Sequence, residues 1–282
     1  MWEGMNMTKT YFDIPYASLS ESQKLDIYLP EKGEKPFPVI ISIHGGAFAF
    51  GDKKGPDCEA ALHGLERGYA IASVNYRLSG EATFPADIED VKAAIRFLRA
   101  HADEFSLCSE KFAVWGGSAG GALAALVGTS GDVPEFKNPT IGYVEYSDRV
   151  QAVVDWYGPI NFLTMDDQFI EIGIEGQIHN SSDSFESKLM GQQITLIPDL
   201  VAKHNPETYI TPDCPPFLIQ HGMKDDIIPY LQSVEFAKKL ESVIGKENVI
   251  LELFENAGHG GPEFHSEENI RKVLDFLDAR LK

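Results

Sequence analysis

The chain has 282 residues, 43% hydrophobic and 24% charged, which is enough material for one large α/β domain and its core. A formal net charge of −19, with no compensating Lys/Arg cluster, excludes nucleic acid and anionic membranes as partners and favours a neutral small-molecule substrate. No apolar run reaches about 18 residues, so no transmembrane helix is expected.

Residues 1–11 have no basic start followed by an apolar stretch, so no secretory leader is expected. Cys58, Cys108 and Cys214 are odd in number and far apart, which suits free thiols in a reducing, cytoplasmic setting and not a metal site. Residues 10–16 and 24–29 read as an antiparallel strand pair at a sheet edge, one face exposed, the second strand alternating with period two. Residues 39–43 are nearly all apolar, as in a central parallel strand buried on both faces, and run into His44-Gly45-Gly46-Ala47. A strand at 70–76 and a helix at 87–101 follow, the helix carrying Ile88, Val91, Ala94, Ile95 and Leu98 on one face. Residues 112–115 form a strand that enters Gly116-Gly117-Ser118-Ala119-Gly120-Gly121, and a helix continues to about residue 128.

Another strand covers 152–157. Residues 160–214 then break the rhythm with scattered large apolar side chains, and a helical cap inserted over the site is expected there. The rhythm resumes with a strand at 216–220, a helix at 230–243, a strand at 249–254 ending in Gly258-His259-Gly260-Gly261, and a helix at 266–281 capped by Ser266. Strand and helix alternate, with no repeat or linker. The expectation is one domain over 1–282, of the α/β class, with a mostly parallel central sheet flanked by helices.

Gly116-x-Ser118-x-Gly120 has the form of a nucleophile elbow, where a sharp strand-to-helix turn holds a serine hydroxyl clear of its neighbours. A chain of this length holds roughly 0.1 such matches by chance, so the other strand ends decide its meaning. It is neither a P-loop nor a G-x-G-x-x-G turn. Ligands of a parallel α/β sheet bind at the carboxyl ends of its strands, and four candidate groups fall there: His44-Gly45-Gly46, Ser118, Asp225-Asp226 and His259. Ser118 needs a base, because a free hydroxyl is barely nucleophilic at neutral pH.

His259, flanked by glycines, is the candidate base among eight histidines. His44 and His221 each open a turn and brace it, while His63, His101, His179, His204 and His265 lie in helical or cap stretches with surface or structural roles. Asp225 and Asp226 are adjacent candidates for the acid that orients His259. The N–H groups of Ala119, Gly45 and Gly46 are candidate donors to an oxyanion, each such donor being worth on the order of 3 kcal/mol of barrier.

His44-Gly45-Gly46, Asn75-Tyr76-Arg77-Leu78, Phe84-Pro85-Ala86-Asp87, Gly116 to Gly121, Asp155 to Pro159, His221-Gly222-x-x-Asp225 and Gly258 to Pro262 run in register. This set resembles the hormone-sensitive-lipase-like α/β-hydrolases. It is closer still to the small bacterial carboxylesterases grouped with bifunctional acetylxylan/feruloyl esterases. The resemblance, from about Tyr11 to the end, implies an α/β-hydrolase fold and a triad of Ser118, Asp225 and His259, and selects Asp225 over Asp226. It also implies a serine carboxylesterase for acetyl or feruloyl groups on small carbohydrates, without metal or cofactor. Ala47 stands where the lipase-like pattern has a third glycine. Tyr76, Arg77, Asp87 and Asp90 are expected to brace the oxyanion loop by an ion pair and hydrogen bonds. An amidase such as an arylformamidase, or a non-catalytic ligand-binding protein, would use the same frame.

Overall fold

A computed structural model describes residues 7–282; residues 1–6, which carry part of the stretch read for a leader, lie outside them. Eight strands form one sheet in the order β1-β2-β4-β3-β5-β6-β7-β8. They are β1 (Met7–Pro15), β2 (Lys24–Pro30), β3 (Phe37–Ile43), β4 (Ala70–Val74), β5 (Leu107–Gly117), β6 (Ala152–Trp156), β7 (Phe217–Gly222) and β8 (Val249–Phe254). β1, β2 and β4 pair antiparallel, and every pair from β4 through β8 is parallel. The helices are α1 (Pro56–Leu62), α2 (Ala86–Ala100), α3 (Ala102–Phe105), α4 (Ala119–Thr129), α5 (Met165–Ile172), α6 (Phe185–Met190), α7 (Pro198–His204), α8 (Leu231–Ile244), α9 (Pro262–His265) and α10 (Glu267–Leu281).

β3 is wholly buried, as its apolar run predicts. Val39, Ile41 and Ile43 join a core that also contains residues of α2, α4 and α8, while Ile40 joins a second core with α1 and α10. Helices therefore cover both faces. The first strand pair is antiparallel and ends the sheet, as expected, but β2 has no exposed face: it lies between β1 and β4, with Asp26 and Tyr28 buried. Its alternation is satisfied by chemistry instead of solvent: Asp26 Oδ1 accepts the Asp13 N–H at 2.7 Å and lies 3.4 Å from Lys53 Nζ.

Residues 160–214 contain α5, α6 and α7 and no strand. Phe162, Met165, Leu189, Met190 and Ile194 pack into the main core, so much of this segment is welded to the body, whereas Leu196 is exposed.

Behind α4 lies a buried charge cluster that the sequence did not announce. Asp148 accepts from Lys92 Nζ at 2.9 Å, Arg96 Nη1 at 3.2 Å and the Asp132 N–H at 2.8 Å. Lys92 also donates to the Ser130 carbonyl, which puts a cation at the C-terminal end of the helix that begins at Ser118. Removing one partner of a buried pair strands the others without compensation. Asp148→Ala is expected to cost about 3–5 kcal/mol in urea denaturation, far more than an exposed Asp→Ala control.

Candidate active site

β3 and β5 pair in parallel with Ile43 opposite Gly116, so their carboxyl ends emerge together. The turn after β5 then passes close under the turn after β3. A Cβ on Gly120 would lie 2.1 Å from the Ile43 carbonyl oxygen, and one on Gly116 2.3 Å from the Gly120 oxygen. Only glycine permits this approach. Ser118 sits at its apex with φ 56°, an uncommon conformation for a residue with a side chain, and its N–H donates to the Trp156 carbonyl at 2.9 Å.

Ser118 Oγ donates to His259 Nε2 at 2.9 Å, and His259 Nδ1 donates to Asp225 Oδ2 at 2.8 Å. The carboxylate fixes the tautomer: Nδ1 carries the hydrogen, which leaves the Nε2 lone pair facing the serine. Asp225 Oδ1 accepts the N–H groups of Ile227 and Ile228 at 2.9 and 2.8 Å. Asp226 is exposed, and its carbonyl accepts the Gln177 N–H instead. The two neighbouring carboxylates thus have separate surroundings, and only Asp225 reaches His259.

His221 does more than brace its turn. Its Nε2 faces the Ile228 carbonyl at 3.0 Å and Asp225 Oδ2 at 3.2 Å, and Nδ1 accepts from Ser233 Oγ at 2.7 Å. Burial works to raise the Asp225 pKa, but the hydrogen bonds and charges of His221 and His259 hold it well below the usual carboxylate range.

Of the expected oxyanion donors, Ala119 and Gly46 lie at the pocket beside Ser118. Gly45 departs from expectation: its N–H donates to Asp57 Oδ2 at 2.9 Å. What Gly45 supplies is closeness, since a Cβ there would sit 2.7 Å from the Gly117 oxygen and 3.3 Å from Ser118 Cβ. Ala47, in the third glycine's place, is accommodated at φ 53°. The loop is braced from below by the Tyr76 hydroxyl, which donates to the His44 carbonyl at 2.9 Å while its ring stacks on His44 at 4.5 Å. Arg77 grips Asp90 in a two-pronged pair, both bonds at 2.8 Å. Asp87 takes no part in that brace; it faces His204 Nε2 at 3.4 Å.

The pocket above Ser118 has a volume of about 520 Å³. One wall is aromatic, with Phe48, Phe50 and Phe185, and another is polar, with Asp57, Tyr157 and His265. Asp57 and Tyr157 carried no local signal, because 12 residues separate Asp57 from the Gly45 it binds and Tyr157 reads as the end of a strand. Burial pushes the Asp57 carboxyl up to about 6, against the Gly45 N–H, its own backbone N–H and the nearby His259.

A twisted parallel sheet with a serine elbow, and with Asp and His at later strand ends, defines an α/β-hydrolase. A family model, BD-FAE, matches residues 25–240, and the chain belongs to that family. It is 31% identical over 245 residues to a probable carboxylic ester hydrolase, LipM, of Mycobacterium tuberculosis, covering 86% of this chain and 54% of the relative. Esterase LipC of the same organism is 31% identical over 241 residues, covering 85% of this chain and 57% of the relative. The chain therefore spans about half the length of these curated relatives. Among solved structures, a truncated carbohydrate esterase from gut microbiota superposes with a TM-score of 0.89 at 29% identity, over 98% of both chains. A bifunctional GH43-CE of Bacteroides eggerthii gives a TM-score of 0.88 at 33% identity, over 97% of this chain and 35% of that one.

An acid held below its unfolded value adds stability that is present above about pH 4 and lost as pH falls through the folded value. Asp225→Asn should therefore lower stability by about 1.5–3 kcal/mol at pH 7. The gap to the parent should narrow as pH falls below about 4, as urea titrations at pH 7 and pH 3 would show.

Proposed function

We propose that the chain is a serine carboxylesterase that hydrolyses short acyl or hydroxycinnamoyl esters, such as acetyl or feruloyl groups on small carbohydrates. The observation that carries this reading is the unbroken line from Ser118 Oγ through His259 to Asp225, opening into the pocket. Ser118 Oγ attacks the ester carbonyl while His259 Nε2 takes its proton and returns it to the departing alcohol oxygen. Asp225, ionised throughout, stabilises the imidazolium. The Ala119 N–H at the head of α4 and the Gly46 N–H take the oxyanion, on preorganised backbone. His259 then deprotonates water, which cleaves the acyl-enzyme into a carboxylic acid and free Ser118.

The aromatic wall supports the substrate class. Phe50 is 62% exposed at the pocket and meets Phe185 edge to face at 5.8 Å, a surface on which a sugar or hydroxycinnamoyl ring can lie. The likeness to a carbohydrate esterase from gut microbiota supports the same choice. No helix among the described residues is long and apolar enough to cross a membrane. The three cysteines are free thiols, which agrees with work in a reducing cytoplasm on small esters.

Ser118→Ala should abolish p-nitrophenyl acetate hydrolysis and fluorophosphonate labelling while leaving circular dichroism unchanged; turnover that survives refutes the assignment. Asp225→Asn should lower kcat by about 10⁴-fold. Gly45→Ala, whose methyl would press on Gly117 and Ser118, should cost about 10²-fold or more in kcat.

A further inference from the structure

The elbow's middle position is usually free to vary, and here it is Gly117. The point where a Gly117 Cβ would stand lies 2.7 Å from Asp57 Oδ1 and 2.9 Å from the Tyr157 hydroxyl. Two polar oxygens thus pack against Gly117, immediately beside Ser118, on the polar wall of the pocket. Asp57 Oδ2 is engaged by Gly45. Among the described residues no other side chain hydrogen-bonds Oδ1 or the Tyr157 hydroxyl.

Tyr157 is held there at a cost. Its φ is 43°, rare for an aromatic residue, and it is stapled by its N–H to the Gln220 carbonyl at 2.8 Å and by the Gly158 N–H to Asp155 Oδ1 at 3.0 Å. The ring packs against His259 at 4.8 Å and Phe264 at 4.6 Å, which fixes where the hydroxyl points. Gly117, having no Cβ, lets a strained tyrosine and a carboxylate crowd against it, and where their two oxygens face the pocket they make a slot.

We propose that the slot between Asp57 and Tyr157 above Gly117 binds a hydroxyl group on the alcohol half of the substrate, next to the ester. A hydroxyl donates its hydrogen to Asp57 Oδ1 and accepts from the Tyr157 O–H, which satisfies all three groups at once. An anion would be repelled by Asp57, and an apolar group would leave both oxygens unpaired. Burial and the charges of Asp57 and Asp225 raise the Tyr157 pKa, which keeps it a donor at neutral pH. The slot therefore favours a polyol or sugar ester over a simple alkyl ester. This choice of ligand rests on the esterase reading above, and it is tested by binding so that it can fail separately.

The Ser118→Ala variant, which cannot turn over, is titrated calorimetrically with a mono-acetylated methyl xyloside and with the analogue lacking the hydroxyl next to the ester. The expected result is at least about tenfold weaker binding of the deoxy analogue. Adding Asp57→Asn or Tyr157→Phe should weaken the hydroxylated probe to a similar degree and leave the deoxy probe unchanged. Gly117→Ala, whose methyl would collide with both oxygens and displace them, should act in the same direction. Equal affinity for the two probes, no binding of either, or equal losses on both in the variants would overturn the slot. Loss of p-nitrophenyl acetate turnover in the unsubstituted protein would overturn the esterase reading instead.

Discussion

The close crossing of two glycine-bearing turns at the ends of β3 and β5 is the constraint on which the site depends. Parallel pairing places Ile43 beside Gly116, and the absent Cβ atoms of Gly116 and Gly120 let α4 begin almost in contact with the end of β3. From this one approach follow the apex position of Ser118, the nearness of the Gly45-Gly46 loop to it, and the N-terminus of α4 behind it. Any side chain at Gly120 would meet the Ile43 carbonyl and push the helix away. Packed interiors do not absorb such displacements smoothly, so Ser118 and the Gly45-Gly46 loop would separate.

The carboxylates around this crossing divide into two groups. Asp225 is drowned in donors, two histidines and two backbone N–H groups, and stays ionised. Asp57 and Asp155 have fewer partners, and burial pushes each up to about 6. Asp155 Oδ2 has no hydrogen-bond partner at all, while Oδ1 holds the turn whose Trp156 carbonyl receives the Ser118 N–H. These environments drive neighbouring acids apart and keep the negative charge beside His259. The strongly acidic surface is a separate matter, acting on which ligands approach.

The pocket wall draws on several separate stretches of chain. Phe48, Phe50 and Asp57 follow β3, Tyr157 follows β6, and Gln177, Phe185 and Glu186 come from the segment between β6 and β7. That segment is also tied to the acid loop, because the Gln177 N–H reaches the Asp226 carbonyl and His179 Nε2 lies 2.8 Å from the Ile227 carbonyl. A change in it is therefore felt both at the pocket wall and at the support of Asp225.

Much of the frame was legible in the sequence. Period-two and continuous apolar runs marked the strands, i, i+3, i+4 spacing marked α2, and glycines with positive φ or close approach marked the turns, because each is a local consequence of backbone sterics. Ser118 and His259 stand out for that reason. Local pattern left Asp225 and Asp226 level, since a one-residue shift in a loop has no local signature; the family resemblance selected Asp225, and the fold turns that carboxylate toward His259. Tertiary structure likewise decided that β2 lies inside the sheet, that Gly45 spends its N–H on Asp57, and that Asp148 gathers Lys92 and Arg96 in the interior. Those partners are 12 to 56 residues apart and are brought together by sheet pairing. Local sequence determines which residues can turn, bend or bury; which charges meet is settled by the long-range packing that removes them from water.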